Sequence, residues 1–321
     1  MRTAIITGVS GQDGSYLAEI LITKGYRIVG TTRERQRAGS SLPKNLAGQI
    51  ELVDWDLKDP DRIAHLISQY RPDEVYNFAA YSSGAGMYDD PVGIGDINGL
   101  AVTRILEAIH RISPTTRFCQ ASSSEMFGYV AQSPQTEDTP FCPRSPYGAA
   151  KLYAHSMINI YRRHHGLFCC SAILFNHESP RRNLDFVTRK ITHAAASIKL
   201  GLESELRLGN MEARRDWGFA GDHARAMWLM LTAAHPTDYV IATGETHSVR
   251  ELCDTAFRHL DLDYRDFVSE DAGAFRPAEP VPLIGNSDKA KRDLGWSHEV
   301  GFEQLIAMMV DADLRLLKQE H

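Results

Sequence analysis

Short apolar runs alternate with amphipathic segments along the first half of the chain, and this alternation restricts the possible folds more than any other feature. The strand-like runs cover residues 2–8, 26–32, 50–57, 73–80, 117–121 and 168–176, and helical patterns at 11–25, 59–70, 91–111 and 145–166 separate most of them. Strands that are apolar on both faces are typical of a parallel sheet that helices cover on both sides. The sequence therefore predicts an α/β fold built on a Rossmann-type, doubly wound parallel sheet.

The alternation weakens beyond about residue 177. Helical patterns follow at 187–201, 248–260 and 302–317, together with a strand at 238–244 and a proline-bearing loop at 275–285. We interpret this half as a smaller, discontinuous α+β substrate domain. The predicted division assigns residues 1–176 and about 217–247 to a cofactor-binding domain, and residues 177–216 and 248–321 to the substrate domain. Small ligands commonly bind in the crevice between two such domains.

The composition of the 321-residue chain argues against several classes of function. With a net charge of −6 and no long basic run, neither nucleic acid nor an anionic membrane is expected as the main partner. No apolar run reaches the roughly 20 residues of a membrane span. The chain opens with a strand-like run instead of a signal peptide, so we expect a cytoplasmic protein. The five cysteines lack CxxC spacing, which predicts reduced thiols and no metal site.

Three glycines join the first predicted strand to the first predicted helix. Gly8, Gly11 and Gly14 form a GxxGxxG pattern, one residue longer than the GxGxxG pattern of dinucleotide-binding folds. Glycine lets the backbone approach a pyrophosphate at a helix N-terminus, where free amides and the helix dipole favour an anion. Glycine-rich turns also arise for packing alone, but the position between strand and helix indicates a dinucleotide site.

The end of the second predicted strand discriminates between the two nicotinamide dinucleotides. An NAD enzyme places Asp or Glu there to hold the ribose hydroxyls, whereas this chain has Thr31 and Thr32 followed by Arg33. Arg35 and Arg37 come next, and guanidinium groups suit a 2′-phosphate. NADP is therefore the predicted cofactor. The alternative for Arg35 and Arg37 is a solvated basic loop.

A Tyr-x-x-x-Lys pattern places Tyr147 and Lys151 on the same face of a predicted helix. A free tyrosine titrates near pH ~10, so a phenolate at neutral pH needs about 4 kcal/mol of stabilisation. A neighbouring Lys⁺ and the positive charge of a nicotinamide are physical sources for that stabilisation. The pattern alone is common by chance. Together with the glycine pattern and the serines at 122–124, it resembles the extended short-chain dehydrogenase/reductase superfamily.

Glu125 follows these serines in the segment QASSSEMFG, after a predicted strand. An ionised carboxylate beside apolar side chains is costly unless it is paired or has a chemical task. The segment resembles one in the GDP-mannose 4,6-dehydratases. This resemblance extends over essentially the whole chain, through TPFCPRSPYGAAKLY, FNHESPRR and LGNMEARRDWGFAGD. The alternative for Glu125 is a carboxylate that only caps the turn after the strand.

The resemblance implies a reaction on a GDP-sugar and a set of residues that carry it. Tyr147 takes the O4 proton while C4 is oxidised, Ser123 binds O4, and Glu125 removes the C5 proton so that the C6 hydroxyl leaves. Hydride then returns to C6, which leaves a 4-keto-6-deoxy sugar nucleotide and regenerated NADP. The implied catalytic residues are Ser123, Glu125, Tyr147 and Lys151. The implied cofactor contacts are Gly8, Gly11, Gln12, Asp13, Gly14, Arg33, Asp56, Leu57, Ala79, Tyr147 and Lys151. The implied contacts of the GDP moiety are Asn176, Val187, Lys190, Arg215, Arg276 and Glu279.

Departures from the family pattern leave the sugar open. Ser123 stands where the family has threonine, and Tyr81 and Met87 occupy positions that face the sugar in the resemblance. A GDP-heptose is therefore an alternative substrate. A 4-epimerase or 4-keto reductase is a second alternative, which does not explain Glu125. A non-catalytic NADP-sensing protein is a third, which does not explain the intact Tyr-x-x-x-Lys pair.

The predicted helices at 91–111 and 147–163 carry long apolar faces. The resemblance implies that these helices pair between two copies of the chain, and that the arginine-rich loop 33–41 brings dimers together. We therefore expect a homodimer or a homotetramer.

Overall fold

The computed structural model describes residues 1–33, 42–81, 88–271 and 281–320. Its strands, in chain order, are β1 (Thr3–Thr7), β2 (Arg27–Thr32), β3 (Ile50–Asp54), β4 (Glu74–Asn77), β5 (Arg117–Ala121), β6 (Cys169–Leu174), β7 (Asn176–Glu178), β8 (Leu206–Leu208), β9 (Arg214–Arg215), β10 (Trp217–Phe219), β11 (Tyr239–Ile241), β12 (His247–Ser248) and β13 (Val268–Glu270). Its helices are α1 (Gln12–Thr23), α2 (Pro60–Tyr70), α3 (Pro91–Gly95), α4 (Ala101–Ile112), α5 (Pro146–His165), α6 (Val187–Lys199), α7 (Ala220–Thr232), α8 (Val249–Arg258), α9 (Asp288–Leu294) and α10 (Phe302–Glu320).

Seven of the strands form one sheet in the order β11-β6-β5-β4-β1-β2-β3. Each neighbouring pair in this sheet runs parallel. The strand order changes direction between β1 and β4, and doubly wound sheets bind ligands at the carboxyl ends of the strands at this point. The predicted Rossmann-type α/β fold is confirmed.

Helices cover both faces of the sheet because the strand side chains alternate between them. On one face, Ala4 and Ile6 of β1 belong to a buried cluster that includes residues of α1 and α7. On the other face, Ile5 belongs to a cluster with residues of α2, α4 and α5. Both faces are therefore dry, which explains why the strands are apolar without alternation.

Helices α6, α8 and α10 enclose a separate hydrophobic cluster beside the sheet. Ile191, Leu252, Phe257 and Ile306 are fully buried there. Short strand pairs, β7 with β10 and β8 with β13, lie outside the main sheet in the same half of the chain. The domain boundaries given above stay a prediction.

The structure departs from the predicted elements at several places, among them the short strands β8, β9, β10, β12 and β13. Helices α7 and α9 were not predicted. The helix predicted over 91–111 is interrupted by a π-helical turn, Asp96–Leu100, between α3 and α4.

Among the described residues, no helix combines the length and apolar character needed to cross a membrane.

Candidate active site

Helix α5 carries the Tyr-x-x-x-Lys pair, and its first turn is fixed by the sequence around it. Ser145 caps the helix by accepting a hydrogen bond from the Gly148 amide at 3.0 Å, and Pro146 occupies the first helical position. One turn further, the buried Lys151 donates from Nζ to the carbonyl of Ala121 at 2.8 Å. The end of β5 and the start of α5 are thereby joined at the pair.

Burial has the largest effect on the pKa values of both members of the pair. Burial lowers the pKa of Lys151 to about 8, against a weaker opposing effect of the Asp13 charge. Burial also raises the pKa of Tyr147 to about 12; a hydrogen bond with Ser123 opposes this and the charge of Glu125 adds to it. The lysine Nζ lies 5.6 Å from the centre of the tyrosine ring. The protein groups by themselves therefore favour the neutral phenol, because desolvation outweighs the hydrogen bond with Ser123.

Ser123 and Glu125 lie in a short 3-10 turn directly after β5. The Ser123 hydroxyl caps this turn by accepting a hydrogen bond from the Glu125 amide at 3.2 Å. The turn packs against the start of α5 so closely that a Cβ at Gly148 would lie 2.5 Å from the Glu125 carbonyl oxygen. Ser123 and Glu125 both lie close enough to Tyr147 to act on its pKa, so the structure brings these three predicted catalytic side chains together. The fourth, Lys151, lies one helical turn beyond Tyr147.

The glycine pattern forms a tight loop between β1 and α1. Gly8 has φ +67°, in the left-handed region, and a Cβ at Gly14 would lie 2.5 Å from the Gly8 carbonyl oxygen. Gly11 precedes the first residue of α1 and provides no side chain to cap its amides. The N-terminus of α1 can therefore receive a pyrophosphate, and this backbone fits a dinucleotide.

Asp13, in the first turn of α1, is paired with a histidine from the strand β7. The Nε2 of His177 lies 3.1 Å from Asp13 Oδ2, and its Nδ1 lies 2.7 Å from the Phe175 carbonyl oxygen. Both ring nitrogens face acceptors, so the doubly protonated ring satisfies both contacts. Burial disfavours both charges, but the attraction and hydrogen bond between the two side chains outweigh this effect. The pKa of His177 is therefore raised, and that of Asp13 is lowered to about 2.

The segment that follows β7 continues this contact with the glycine loop. Ser179 donates to Gln12 Oε1 at 2.8 Å, and Gln12 Nε2 donates to the His177 carbonyl at 3.1 Å. Arg181 donates to Ser15 at 3.0 Å and lies over the Tyr16 ring, with its guanidinium carbon 3.9 Å from the ring centre. The FNHESPRR segment therefore holds the start of α1 in place.

The other predicted cofactor residues lie at the ends of neighbouring strands. The amide of Ala79 donates to Thr7 Oγ1 at 3.0 Å, next to Gly8. Asp56 is exposed and accepts a hydrogen bond from the Lys58 amide at 2.9 Å, while Leu57 is buried. Arg33 is exposed directly after β2. Arg35 and Arg37 lie outside the described residues.

The predicted nucleotide contacts are spread over the second half of the chain. Asn176 opens β7 and is paired with Trp217 of β10. Val187 and Lys190 lie in the first turn of α6, partly buried and exposed respectively. Arg215 lies in β9, partly buried, and its Nη1 donates to the Arg214 carbonyl at 2.7 Å. Arg276, Glu279 and Met87 lie outside the described residues.

The sequence interpretation missed His177 and Arg182. The charge of Arg182 acts on the pKa of both Asp13 and Tyr147, so it lies near the junction of the glycine loop and the catalytic helix. Both residues belong to FNHESPRR, a segment that carries the family resemblance. The resemblance did not indicate which of its side chains face the glycine loop. Within the described ranges, no group of His, Cys, Asp and Glu side chains could hold a metal ion.

Comparisons with solved structures agree on the fold. A dTDP-glucose 4,6-dehydratase from Bacillus anthracis, solved in complex with NAD, has a TM-score of 0.86 at 20% identity, with 99% of this chain and 98% of that chain covered. RMD from Pseudomonas aeruginosa, solved with NADPH, has a TM-score of 0.84 at 23% identity, with 98% of this chain and 100% of that chain covered. At these identities the likeness establishes the architecture.

Sequence comparisons identify the family. A family model described as GDP-mannose 4,6 dehydratase matches residues 5–309. The chain is 47% identical over 331 aligned residues to GDP-mannose 4,6 dehydratase 2 of Arabidopsis thaliana, with 99% of this chain and 88% of the relative covered. Because the family match and the full-length identity agree, the chain belongs to the GDP-mannose 4,6-dehydratase family.

Proposed function

We propose that the protein converts GDP-mannose to GDP-4-keto-6-deoxymannose and water. The observation that carries this proposal is the position of Glu125, whose carboxylate acts on Tyr147 from the turn capped by Ser123. Of the side chains, oxidation and reduction at C4 need the tyrosine and its neighbours beside the nicotinamide, whereas elimination also needs a base for C5. A carboxylate beside the Tyr-x-x-x-Lys pair supplies that base.

Tyr147 and Ser123 act at C4 of the sugar. The Ser123 hydroxyl, which already hydrogen-bonds to Tyr147, positions O4, and Tyr147 accepts the O4 proton. The bound nicotinamide supplies hydride acceptance and donation, and its positive charge favours the phenolate that the protein groups alone do not favour. Lys151 keeps the end of β5 fixed to the catalytic helix through the Ala121 carbonyl.

Glu125 acts after C4 has become a ketone. The ketone makes the C5 proton acidic, and the Glu125 carboxylate accepts it. The C5–H electron pair forms the C5–C6 double bond while the C6–O bond breaks, and the departing oxygen leaves as water with a proton from Glu125. Reduction at C6 and protonation at C5 then complete the 4-keto-6-deoxy sugar.

We propose NADP as the form of the cofactor. Its pyrophosphate is assigned to the loop of Gly8, Gly11 and Gly14, and Arg33 is assigned to the 2′-phosphate, because it is exposed directly after β2. The further cofactor contacts proposed are Gln12, Asp13, Asp56, Leu57, Ala79, Tyr147 and Lys151. For the GDP moiety we propose Asn176, Val187, Lys190, Arg215, Arg276 and Glu279.

Product analysis tests the proposal. The purified protein is incubated with GDP-mannose and, in parallel, with a GDP-heptose and other sugar nucleotides, and the products are identified by mass. We expect the loss of one water from GDP-mannose without net formation of NADPH. A product of unchanged mass would indicate an epimerase, and dehydration of the heptose alone would move the substrate assignment to that sugar.

Two further features of the protein are proposed. We assign it to the cytoplasm, since all five cysteines are free thiols, as is usual in reducing compartments. We also propose a homodimer through α4 and α5, and a homotetramer if loop 33–41 joins two dimers. Val92, Leu100, Tyr153 and Ile160 support the dimer because each is an exposed large apolar side chain near or on these helices.

A further inference from the structure

Arg144 lies beside the carboxylate that the proposed function uses as a base. Its Nε is 3.7 Å from Glu125 Oε2. The side chains are 20% and 21% exposed, so solvent screens this pair less than it screens an ion pair on the open surface. Arg144 is absent from the set of site residues that the sequence predicted, although it belongs to the segment TPFCPRSPYGAAKLY.

The contact is an attraction between charges without a hydrogen bond. A distance of 3.7 Å exceeds the range of N–H···O hydrogen bonds. Within the described part of the chain, no hydrogen bond to the Glu125 carboxylate oxygens is present. The carboxylate is therefore oriented by a neighbouring cation while its lone pairs stay available, as a group that must accept a proton requires.

The backbone on both sides of this pair is tightly fixed. Pro143 and Pro146 restrict the chain around Arg144. Cys142, two residues before Arg144, donates from its amide to the Phe127 carbonyl at 3.1 Å, and its carbonyl accepts from the Tyr129 amide at 2.9 Å. The arginine segment is thus bonded directly to the strand-end segment that carries Glu125, which sets the distance between the two charges.

We propose that Arg144 is a positioning residue for the elimination step, holding the Glu125 carboxylate toward C5 of the sugar. This inference rests on the proposed function, in which Glu125 accepts the C5 proton. Arg144 exchanges no proton in the step, because a guanidinium stays charged throughout the accessible pH range. The C5 proton passes to Glu125 and leaves on the departing water, so the pair has the same charges before and after each turnover.

The two halves of the reaction should respond differently when Arg144 is replaced. Oxidation at C4 uses Tyr147 and Ser123, whereas elimination uses Glu125. In Arg144→Met, we expect NADPH to form at the parental rate and then accumulate, because the following elimination is slower. The expected fall in kcat is about ten- to a hundredfold, the range for a misplaced catalytic group, with KM for GDP-mannose little changed. Rapid-mixing absorbance of NADPH and steady-state product formation measure the two halves.

Two further variants test whether the charge is what matters. Arg144→Lys keeps a cation and should recover part of the elimination rate, and added guanidinium should partly restore Arg144→Ala. Arg207→Met is the matched control, because it removes an exposed arginine that is paired with Glu205 at 2.8 Å, and it should leave both rates unchanged. Thermal unfolding of each variant identifies any protein that is not folded.

The outcomes separate this inference from the proposed function. If Glu125→Gln blocks elimination but Arg144→Met turns over at the parental rate, the positioning inference is wrong and the function stands. If Glu125→Gln itself turns over normally, the assigned base is wrong, and the inference falls with it. Equal losses in both halves of the reaction for folded Arg144→Met and Arg144→Lys would also overturn the inference, since they would indicate a general structural contact.

Discussion

Single residues divide the proposed reaction into two halves, and Glu125 is needed only for the second. In Glu125→Gln, the amide cannot accept the C5 proton, so dehydration should fall by at least about a hundredfold, in the range of general-base losses. Oxidation at C4 should continue, since Tyr147 and Ser123 are unchanged. Stopped-flow absorbance should detect NADPH that forms on addition of GDP-mannose and is not consumed, while mass analysis detects no dehydrated product. Parental turnover in this variant would make Glu125 a structural residue.

Lys151 gives a pH-dependent contribution to stability. Burial lowers its pKa from 10.5 to about 8, so the unfolded chain binds more protons than the folded chain between these values. The stability of the parent should therefore rise with pH across this window, by up to about 3 kcal/mol. Lys151→Met lacks this rise. Denaturant titrations of both proteins from neutral pH to about pH 10 measure their free energies of unfolding. The value for the parent should rise relative to that for Lys151→Met as pH increases. If the difference in unfolding free energy between the two proteins is independent of pH, the lowered pKa of Lys151 is contradicted.

Arg33 tests the choice between NADP and NAD. The residues before it at the end of β2, Thr31 and Thr32, offer no carboxylate to the adenosine ribose. A charge-assisted bond from Arg33 to a 2′-phosphate contributes about 1.5–3 kcal/mol, so NADP should bind at least about tenfold more tightly than NAD. Arg33→Ala should remove most of this preference and leave NAD affinity little changed. Calorimetric titration of protein stripped of dinucleotide measures both affinities, and equal affinities in the parent would exclude the assignment.

Among the elements, α6 and α10 are joined by a buried ion pair. Arg189 Nε donates to both carboxylate oxygens of Asp313, at 2.7 and 3.0 Å, and Thr192 donates to the same carboxylate at 2.8 Å. Asp313 is fully buried. Asp313→Asn removes the charge that balances the Arg189 guanidinium. This should lower the free energy of unfolding by about 3–5 kcal/mol.

Asp311 provides the control on the same helix. It is 49% exposed and lies 2.8 Å from His259 Nε2. Asp311→Asn should cost less than about 1 kcal/mol, as is usual for exposed pairs. Chemical denaturation of both variants and the parent measures the two costs, and similar values for Asp311→Asn and Asp313→Asn would contradict the importance of the buried pair.

Local sequence patterns were sufficient for the sheet and for most helices, because buried strands and amphipathic helices have characteristic periods. They were not sufficient for α7. Its first turn contains Asp222 and His223, which are polar yet buried. The Asp222 carboxylate accepts hydrogen bonds from the amides of Glu299 and Val300, at 2.9 and 3.1 Å, which are distant in sequence. The partners that make this helix favourable are therefore invisible in its own sequence.

The same reason explains the π-helical turn. Its residue Asn98 accepts a hydrogen bond from the Tyr81 amide at 2.8 Å and donates to the Tyr81 carbonyl at 3.0 Å. A wider turn is commonly found where a side chain serves a neighbouring segment. At the candidate site, Tyr147 and Glu125 were accessible to sequence reasoning because they lie in short patterns. His177 was missed because its partner, Asp13, is supplied by the opposite end of the sheet-forming half.

For the whole molecule, the exposed apolar side chains of α4 and α5 and the turns before α4 predict assembly. Leu100, Tyr153 and Ile160 are 46%, 40% and 50% exposed. Thr103 Oγ1 donates to the Tyr153 hydroxyl at 3.3 Å, so the two helices present a continuous surface. Ile160→Glu should dissociate the proposed dimer, because a carboxylate would lose its hydration in the interface. Light scattering at micromolar concentration measures the mass.

Leu316 offers the matched control for this substitution. It is 43% exposed on α10, away from the proposed interface helices. Leu316→Glu should leave the dimer intact. A monomeric parent protein, or dissociation by both substitutions alike, would contradict pairing through α4 and α5.

The order of strands in the sheet also affects how the chain emerges from the ribosome. Strand β11, which covers the outer edge of β6, is translated only after β7, α6 and α7. Until then β6, whose six residues are all buried in the finished protein, presents an unpaired apolar edge. Nascent chains that stop before Tyr239 therefore expose a strand edge that can pair with other chains, and β11 covers this edge only late in synthesis. We therefore expect chaperones or rapid elongation to protect the growing chain during the interval between the synthesis of β6 and that of β11.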